Sequence, residues 1–243
     1  MNLVIDIGNT RSKVAIFSNK KIVEQWTFDE LKVSDIEKLL QIFPETDKCI
    51  LSNVGKVNPE IILFIQKAIP EFIELSSNTP LPFTNLYESK STQGSDRIAA
   101  IAGARVIFNN SDVLIIDAGT TITYDFINSS GEYNGGNISP GIDMRFKALH
   151  MFTQKLPLLN KKENNFFLGK NTNQAIESGV MNGIICEIEG YITTLQKEFK
   201  KLKVVITGGD CEFLAGKFKN IIFAELNLVM IGLNSILECN VNR

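Results

Sequence analysis

The residues of this chain whose types and spacing suit chemistry lie where apolar runs end. In Asp6-Ile7-Gly8-Asn9-Thr10-Arg11-Ser12-Lys13 a carboxylate closes one apolar strand, and a tight turn leads into the next. A glycine at the third position lets backbone amides approach a phosphate closely, and Asn9 and Thr10 add side-chain donors. Asp6 shares the sign of a phosphate's charge, so its use would be to hold a magnesium ion, directly or through water, that bridges phosphate oxygens. Arg11 and Lys13 can offset further negative charge. The turn Asp117-Ala118-Gly119-Thr120-Thr121 repeats this logic. One such turn is a common polar hairpin. Two in matching context predict a pair of hairpins that face each other across a cleft and clamp a triphosphate.

Two further segments complete the set. Val204-Val205-Ile206-Thr207-Gly208-Gly209-Asp210 runs an apolar strand into a glycine pair at a helix start, a segment suited to packing on an adenosine. Gly94-Ser95-Asp96-Arg97 opens the small and apolar run IAAIAGARVIF, which suits a buried helix. Asp96 falls in its first turn, where the helix dipole and the adjacent cation favour the ionised form. It serves there as a cap or as a base that accepts the proton of a substrate hydroxyl. Phosphoryl transfer has a loose transition state and does not need a strong base. Arg97 offers a fork for a substrate carboxylate.

The elements that must position these residues come in a repeat. Residues 3–17 read LVIDIGNTRSKVAIF and residues 114–127 read LIIDAGTTITYDFI. An echo this long marks a duplicated domain rather than a solenoid unit, with the boundary in Asn109-Asn110-Ser111-Asp112, giving domains at 1–112 and 113–243. Alternation predicts strands at about 2–7, 12–18, 21–28, 48–53 and 71–75 in the first half. Helices are expected at about 34–42 and from Asn58-Pro59, cap and first turn, to about 69. The second half reads as strands at 113–117, 120–127, 132–138, 203–207 and 220–225, with helices at about 140–150, 172–200, 210–217 and 226–239. The order βββαβαβα, twice, describes two duplicated ribonuclease H-like α/β domains, the architecture of actin, hexokinase and the heat-shock chaperones, with a nucleotide cleft between them.

Composition narrows the function. The chain has 243 residues, 44% of them apolar, and a net charge of −2 with neither half basic. Nucleic acid and anionic membranes are therefore not the expected partners. Cys49, Cys186, Cys211 and Cys239 stand far apart with no zinc or redox spacing, and no export signal or spanning segment is read, so a cytoplasmic location is expected. The single histidine, His150, argues against histidine-based triads and metal sites.

The ordered set DIGNTRSK, GSDRIAAIAGA, DAGTTITYD, GGNISPG, NTNQAIESG and VITGGD, spanning roughly residues 3–210, resembles the type III pantothenate kinases. The resemblance implies ATP-dependent phosphorylation of the primary hydroxyl of pantothenate, the first step of coenzyme A synthesis. It implies that Asp6, Ile7, Gly8, Asn9, Thr10, Arg11, Ser12 and Lys13 form the first ATP loop and that Thr120 also contacts ATP. Asp96 would be the general base. Tyr87, Gly94, Ser95, Asp96, Arg97 and Thr172 would line the pantothenate site, Thr172 being supplied at the interface of a homodimer. Asp117 would hold a monovalent cation, potassium or ammonium, and Mg2+ would accompany ATP. Residues 89–93 read SKSTQ where many members have a proline and a leucine, and Asn137 replaces a common alanine. With little chain to spare for an insertion over the acceptor, the long helix at 172–200 is the expected source of the partner surface. Other readings of the same turns are a sugar-type kinase and a non-catalytic ATP-binding protein.

Overall fold

The computed structural model describes residues 1–55, 58–163, 165–220 and 222–241. In chain order the strands and helices are β1 (Asn2–Ile7), β2 (Ser12–Ser18), β3 (Lys21–Phe28), α1 (Val33–Ile42), β4 (Lys48–Asn53), α2 (Pro59–Ala68), β5 (Glu71–Glu74), β6 (Thr84–Asn85) and α3 (Ser95–Ile107). They continue with β7 (Val113–Ala118), β8 (Thr121–Ile127), β9 (Glu132–Pro140), α4 (Ile142–Met151), α5 (Thr172–Glu198), β10 (Lys203–Thr207), α6 (Cys211–Leu214), β11 (Phe223–Ala224) and α7 (Leu228–Val241). The three strands of the first meander fall where alternation placed them. Asn58 accepts from the Glu60 N–H at 3.0 Å and caps α2, with Pro59 at its first position. The expected strand at 220–225 is reduced to two residues, and Ile221 lies outside the described residues. The helix at 210–217 is one turn, Cys211–Leu214.

The chain divides into two compact units. Unit 1 comprises Met1–Asn110, Ile127–Gly135 and Asn227–Arg243; unit 2 comprises Ser111–Phe126 and Gly136–Leu226. This division departs from the contiguous halves read from the repeat in two segments. The hairpin tip at 127–135 and the last helix both belong to unit 1.

In unit 1 the strand order is β3-β2-β1-β4-β5, antiparallel through the meander and parallel from β1 to β4 to β5. Alternation gives β1 two apolar faces. Leu3, Ile5 and Ile7 pack with α1 and α2 residues such as Ile36, Ile61 and Ile65. Val4, Ala15 and Ile50 pack with Ile98, Ala99 and Ala102 of α3 and with Met230, Leu233, Ile236 and Leu237 of α7. The α3–α7 crossing is close because glycines form it. A Cβ on Gly232 would collide with the Ala99 carbonyl, and one on Gly103 with the Leu228 carbonyl. At the far end of this face the Asn2 amide donates to Asn234 Oδ1 at 2.8 Å and to Glu238 Oε1 at 2.6 Å.

The second sheet has six strands in the order β11-β10-β7-β8-β9-β6, and its first five repeat the order about the central strand seen in unit 1. β10 pairs in parallel with β7, and β11 in parallel with β10. Leu114, Ile116 and Ala118 of β7 are sealed by Ile142 and Phe146 of α4 and by Ile176, Val180, Ile184 and Ile188 of α5. The repeat in the sequence is thus a repeat of topology.

Candidate functional site

Register brings the chemistry of unit 1 to one face. Asp6 stands opposite Lys13 in the antiparallel β1–β2 pair and opposite Ser52 in the parallel β1–β4 pair. The pleat sends all three side chains to the face on which α3 packs. The first turn of α3 carries Ser95 and Asp96 to the same place, and Ser52 Oγ lies 2.9 Å from Ser95 Oγ. Burial pushes the Asp6 carboxyl up to about 6; a hydrogen bond from Ser52 lowers it, the Asp96 charge raises it, and Lys13 lowers it. Asp6 Oδ1 is buried and has no hydrogen-bond partner among the described residues. A sealed, unpartnered carboxylate oxygen suits a cation. Among the described residues no three His, Cys, Asp or Glu side chains cluster for a metal. The remaining ligands of a divalent ion at Asp6 would therefore be water and phosphate oxygens.

The turn after β1 is four residues long, Gly8 to Arg11, closed by the Gly8 N–H donating to the Arg11 carbonyl at 3.1 Å. Asn9, Thr10 and Arg11 are exposed, and Ser12 is buried at the start of β2. Together with Ile7, Asp29, Glu30, Gly55 and Asn58 the turn lines a cavity of about 540 Å³. Gly55 was not singled out from the sequence. A Cβ there would stand 2.6 Å from the Gly8 carbonyl, so the Asn53–Gly55 corner sits directly against the turn. Only the glycine's proximity to a strand end hinted at this.

Asp96 uses one oxygen locally. Its Oδ1 accepts from the Arg97 N–H at 2.8 Å, so it caps the first turn of α3, and its Oδ2 has no protein partner among the described residues. A Cβ on Gly94 would meet Asp96 Oδ1, so a larger residue there would have to displace that carboxylate. Arg97 is 5% exposed, and its guanidinium donates to the Tyr133 hydroxyl at 2.9 Å and lies 5.4 Å from the centroid of the Tyr87 ring. Tyr87 stacks on Tyr133 at 5.9 Å. The structure therefore gathers Tyr87, Gly94, Ser95, Asp96 and Arg97 and adds Tyr133. Pattern reading missed Tyr133 because it sits in the strand after the second turn, far from α3 in sequence. A second chain of bonds holds the loop before α3: the Asn85 amide donates to Gln93 Oε1 at 2.8 Å, and Asn85 Oδ1 accepts from the Tyr87 N–H at 3.0 Å.

In unit 2 the turn after β7 is two residues long, Gly119 and Thr120. The Gly119 N–H donates to the Thr121 carbonyl at 2.9 Å, and the Gly141 N–H to the Thr120 carbonyl at 3.1 Å. A Cβ on Gly141 would collide with the Gly119 and Thr120 carbonyls, so the Pro140-Gly141 corner buttresses the turn. Asp117 lies opposite Thr207 in the β7–β10 register. Gly208, at φ 92°, leaves room for its carboxylate: a Cβ there would strike Asp117 Oδ1 and the Ala118 carbonyl. Thr172 opens α5, which Asn171 caps by accepting from the Gln174 N–H at 3.0 Å. It is exposed and lines a cavity of about 600 Å³ with Arg145, Leu149, Leu156, Ala175 and Gly179.

Known proteins resemble this chain over most of its length. Residues 2–194 match the model of the type III pantothenate kinase family. A type III pantothenate kinase of Bacteroides fragilis is 43% identical over 243 residues, covering 100% of both chains. A Campylobacter jejuni protein described as a Baf family transcriptional activator shares the structure with a TM-score of 0.62 at 27% identity, covering 99% of this chain and 100% of that one. A glucokinase from an Antarctic psychrotroph, with a TM-score of 0.53 at 14% identity over 98% and 99% of the two chains, shows the fold alone.

Proposed function

Because the chain belongs to the type III pantothenate kinase family, we propose that it transfers the γ-phosphoryl group of ATP to the primary hydroxyl of pantothenate, giving 4'-phosphopantothenate in the first step of coenzyme A synthesis. It is an ATP-dependent phosphotransferase with an alcohol acceptor. The observation that carries the residue roles is the meeting of Asp6, Lys13, Ser52 and the start of α3 on one face of unit 1. A net charge of −2 does not favour DNA as a partner.

The turn from Gly8 to Arg11, with Ser12 and Lys13 at the start of β2, binds ATP phosphates through backbone amides and the Asn9, Thr10 and Arg11 side chains, and Thr120 contacts the nucleotide from its own turn. Asp6 holds Mg2+ directly or through water, with its unpartnered Oδ1 as the ligand or acceptor. Bound there with ATP, Mg2+ supplies neutralisation of the charge that spreads over the transferred group. Asp96 accepts the proton of the pantothenate hydroxyl on Oδ2, its Oδ1 being fixed by the Arg97 N–H. Tyr87, Gly94, Ser95 and Arg97 line the acceptor pocket; Arg97, bonded to the Tyr133 hydroxyl and lying over the Tyr87 ring, offers its guanidinium to the acceptor's carboxylate. Asp117 holds potassium or ammonium, in a corner that Gly208 keeps free of a side chain.

A homodimer is proposed with it. Phe152, Phe167 and Leu168 are more than 70% exposed, and on α5 a Cβ at Gly179, Gly183 or Gly190 would meet nothing within 4 Å. Small residues at helical spacing let a second helix approach closely, and the exposed aromatics supply apolar area. The same face carries Thr172, so a partner copy would complete the acceptor pocket. Four free, separated thiols accord with a reducing cytoplasm.

The test is ADP release by the purified protein with ATP, Mg2+ and potassium, with and without pantothenate, run beside Asp96→Asn. Release is expected only with pantothenate, and the variant is expected to bind ATP and turn over about 10²–10⁴-fold more slowly. Release indifferent to pantothenate would remove the substrate assignment. A fully active variant would leave Asp96 as a helix cap.

A further inference from the structure

β4 reads KCILSN, and its alternation sends Ile50 and position 52 toward α3. An apolar residue would be expected at 52, which is 0% exposed; the chain has serine. An unbonded hydroxyl buried there would be destabilising. Its neighbours are Asp6, across the parallel pair, and Ser95 Oγ at 2.9 Å. An ionised carboxylate can only accept, so with Asp6 charged the Ser52 proton favours Asp6, to which it is electrostatically coupled across the strand pair, and the Ser95 hydroxyl is then the donor of the Ser52–Ser95 bond. The bonds run one way, from the residue before Asp96 to Asp6. Unit 2 repeats the placement: Thr207 faces Asp117 in the same parallel register and is 1% exposed. A hydroxyl beside the turn aspartate is thus present in both copies of the fold.

We propose that Ser52 is a positioning residue of the phosphoryl-transfer centre, whose hydroxyl fixes the Asp6 carboxylate toward the metal-bound phosphates and ties it to the first turn of α3. The reaction it serves rests on the kinase reading above; its effect on nucleotide binding does not. Ser52 touches neither substrate directly. Losing it frees the carboxylate to rotate and leaves the Ser95 hydroxyl without its acceptor.

The test compares wild type, Ser52→Ala and Ser52→Thr by calorimetric binding of ATP with and without Mg2+, and by kcat and KM. For Ser52→Ala we expect a kcat lower by about 10–100-fold, the usual worth of a hydrogen bond to a charged group. KM for pantothenate should change by less than kcat does, since Ser95 of the acceptor pocket loses only its bond to Ser52 and keeps its place in the first turn of α3. Metal-free ATP should bind as in wild type, with most of the Mg2+-dependent gain gone. Ser52→Thr should restore both. A Mg2+-dependent gain that survives in Ser52→Ala would overturn the proposal, and so would a folded Ser52→Thr that behaves like the alanine variant. Should Ser52→Ala fail to fold, Ser52→Thr still decides, because only the hydroxyl distinguishes the proposal from simple packing. Absence of pantothenate-dependent turnover in wild type defeats the kinase reading alone, as the binding measurements stand without it.

Discussion

Asp6 and Asp117 each end the central strand of a sheet with the same strand order, each is followed by a glycine turn, and each faces a buried hydroxyl residue on the next parallel strand. Their surroundings have parted. The first turn has four residues and an exposed tip; the second has two and is braced by Gly141. Asp6 lies beside a second carboxylate at the start of α3, whereas Asp117 lies against the Gly208 backbone. A duplicated turn is a scaffold, and the role of its aspartate is set by what the neighbouring helix or loop presents to it.

Asp6→Asn is the hardest test of that contrast. Turnover should fall about 10²–10³-fold, the cost of losing a preorganised electrostatic contact to the transferred group. Stability should move the other way. The folded Asp6 carboxyl titrates at about 6, above its unfolded value of 3.8. Its stabilising contribution is present below pH 3.8 and lost as pH rises through 6, so at neutral pH the charged group is a burden on the ligand-free protein. Removing the charge should raise stability at pH 7 by on the order of 2–3 kcal/mol, read by urea unfolding, and should flatten the pH dependence between 4 and 6. A variant that loses activity and stability together would refute the account of the buried, unpartnered oxygen.

Asp117→Asn should behave differently. Turnover should drop by roughly 10–100-fold, the scale for disturbing an ion site, and the response to added potassium or ammonium should disappear. Steady-state ADP release across a potassium series measures this. Wild-type turnover that is indifferent to either cation would erase the proposed division of labour.

The smallest effects concern the glycines behind each turn. Gly208→Ala places a methyl on the Asp117 carboxylate and the Ala118 carbonyl at positive φ, and should cost about 2–4 kcal/mol. Gly55→Ala meets one carbonyl at 2.6 Å from an ordinary backbone conformation and should cost about 1–2 kcal/mol. Urea midpoints rank the two, and the reverse order would mean that the longer first turn is the more rigid.

The strands of both units were legible because their apolar residues alternate and their ends carry turn residues, as in Leu3–Ile7 and Leu114–Ala118. α2 was legible from Asn58-Pro59. The candidate site was half legible. Asp6, Asp96 and Asp117 stood out by their place at element ends, while Ser52 and Tyr133 did not. Their roles depend on registers and contacts between segments far apart in sequence, which no local spacing encodes. β6 and the 3-10 turn at Lys90–Thr92 were missed because two or three residues carry no period. The different lengths of the two turns were legible in the strand bounds, with four residues between 7 and 12 and two between 117 and 120, although both turns share Asp-x-Gly-x-Thr letters.

The seating of α7 in unit 1 has a consequence for how the chain reaches this structure. Asn2 bonds to Asn234 across 232 residues, and Met230, Leu233, Ile236 and Leu237 fill the core over β1 and β4. During synthesis the first sheet emerges well before α7, and until α7 is made only α3 covers the face that carries Val4, Ala15 and Ile50. Contacts this distant slow folding, and an open apolar face invites association. Completion of the first unit's core therefore waits for α7.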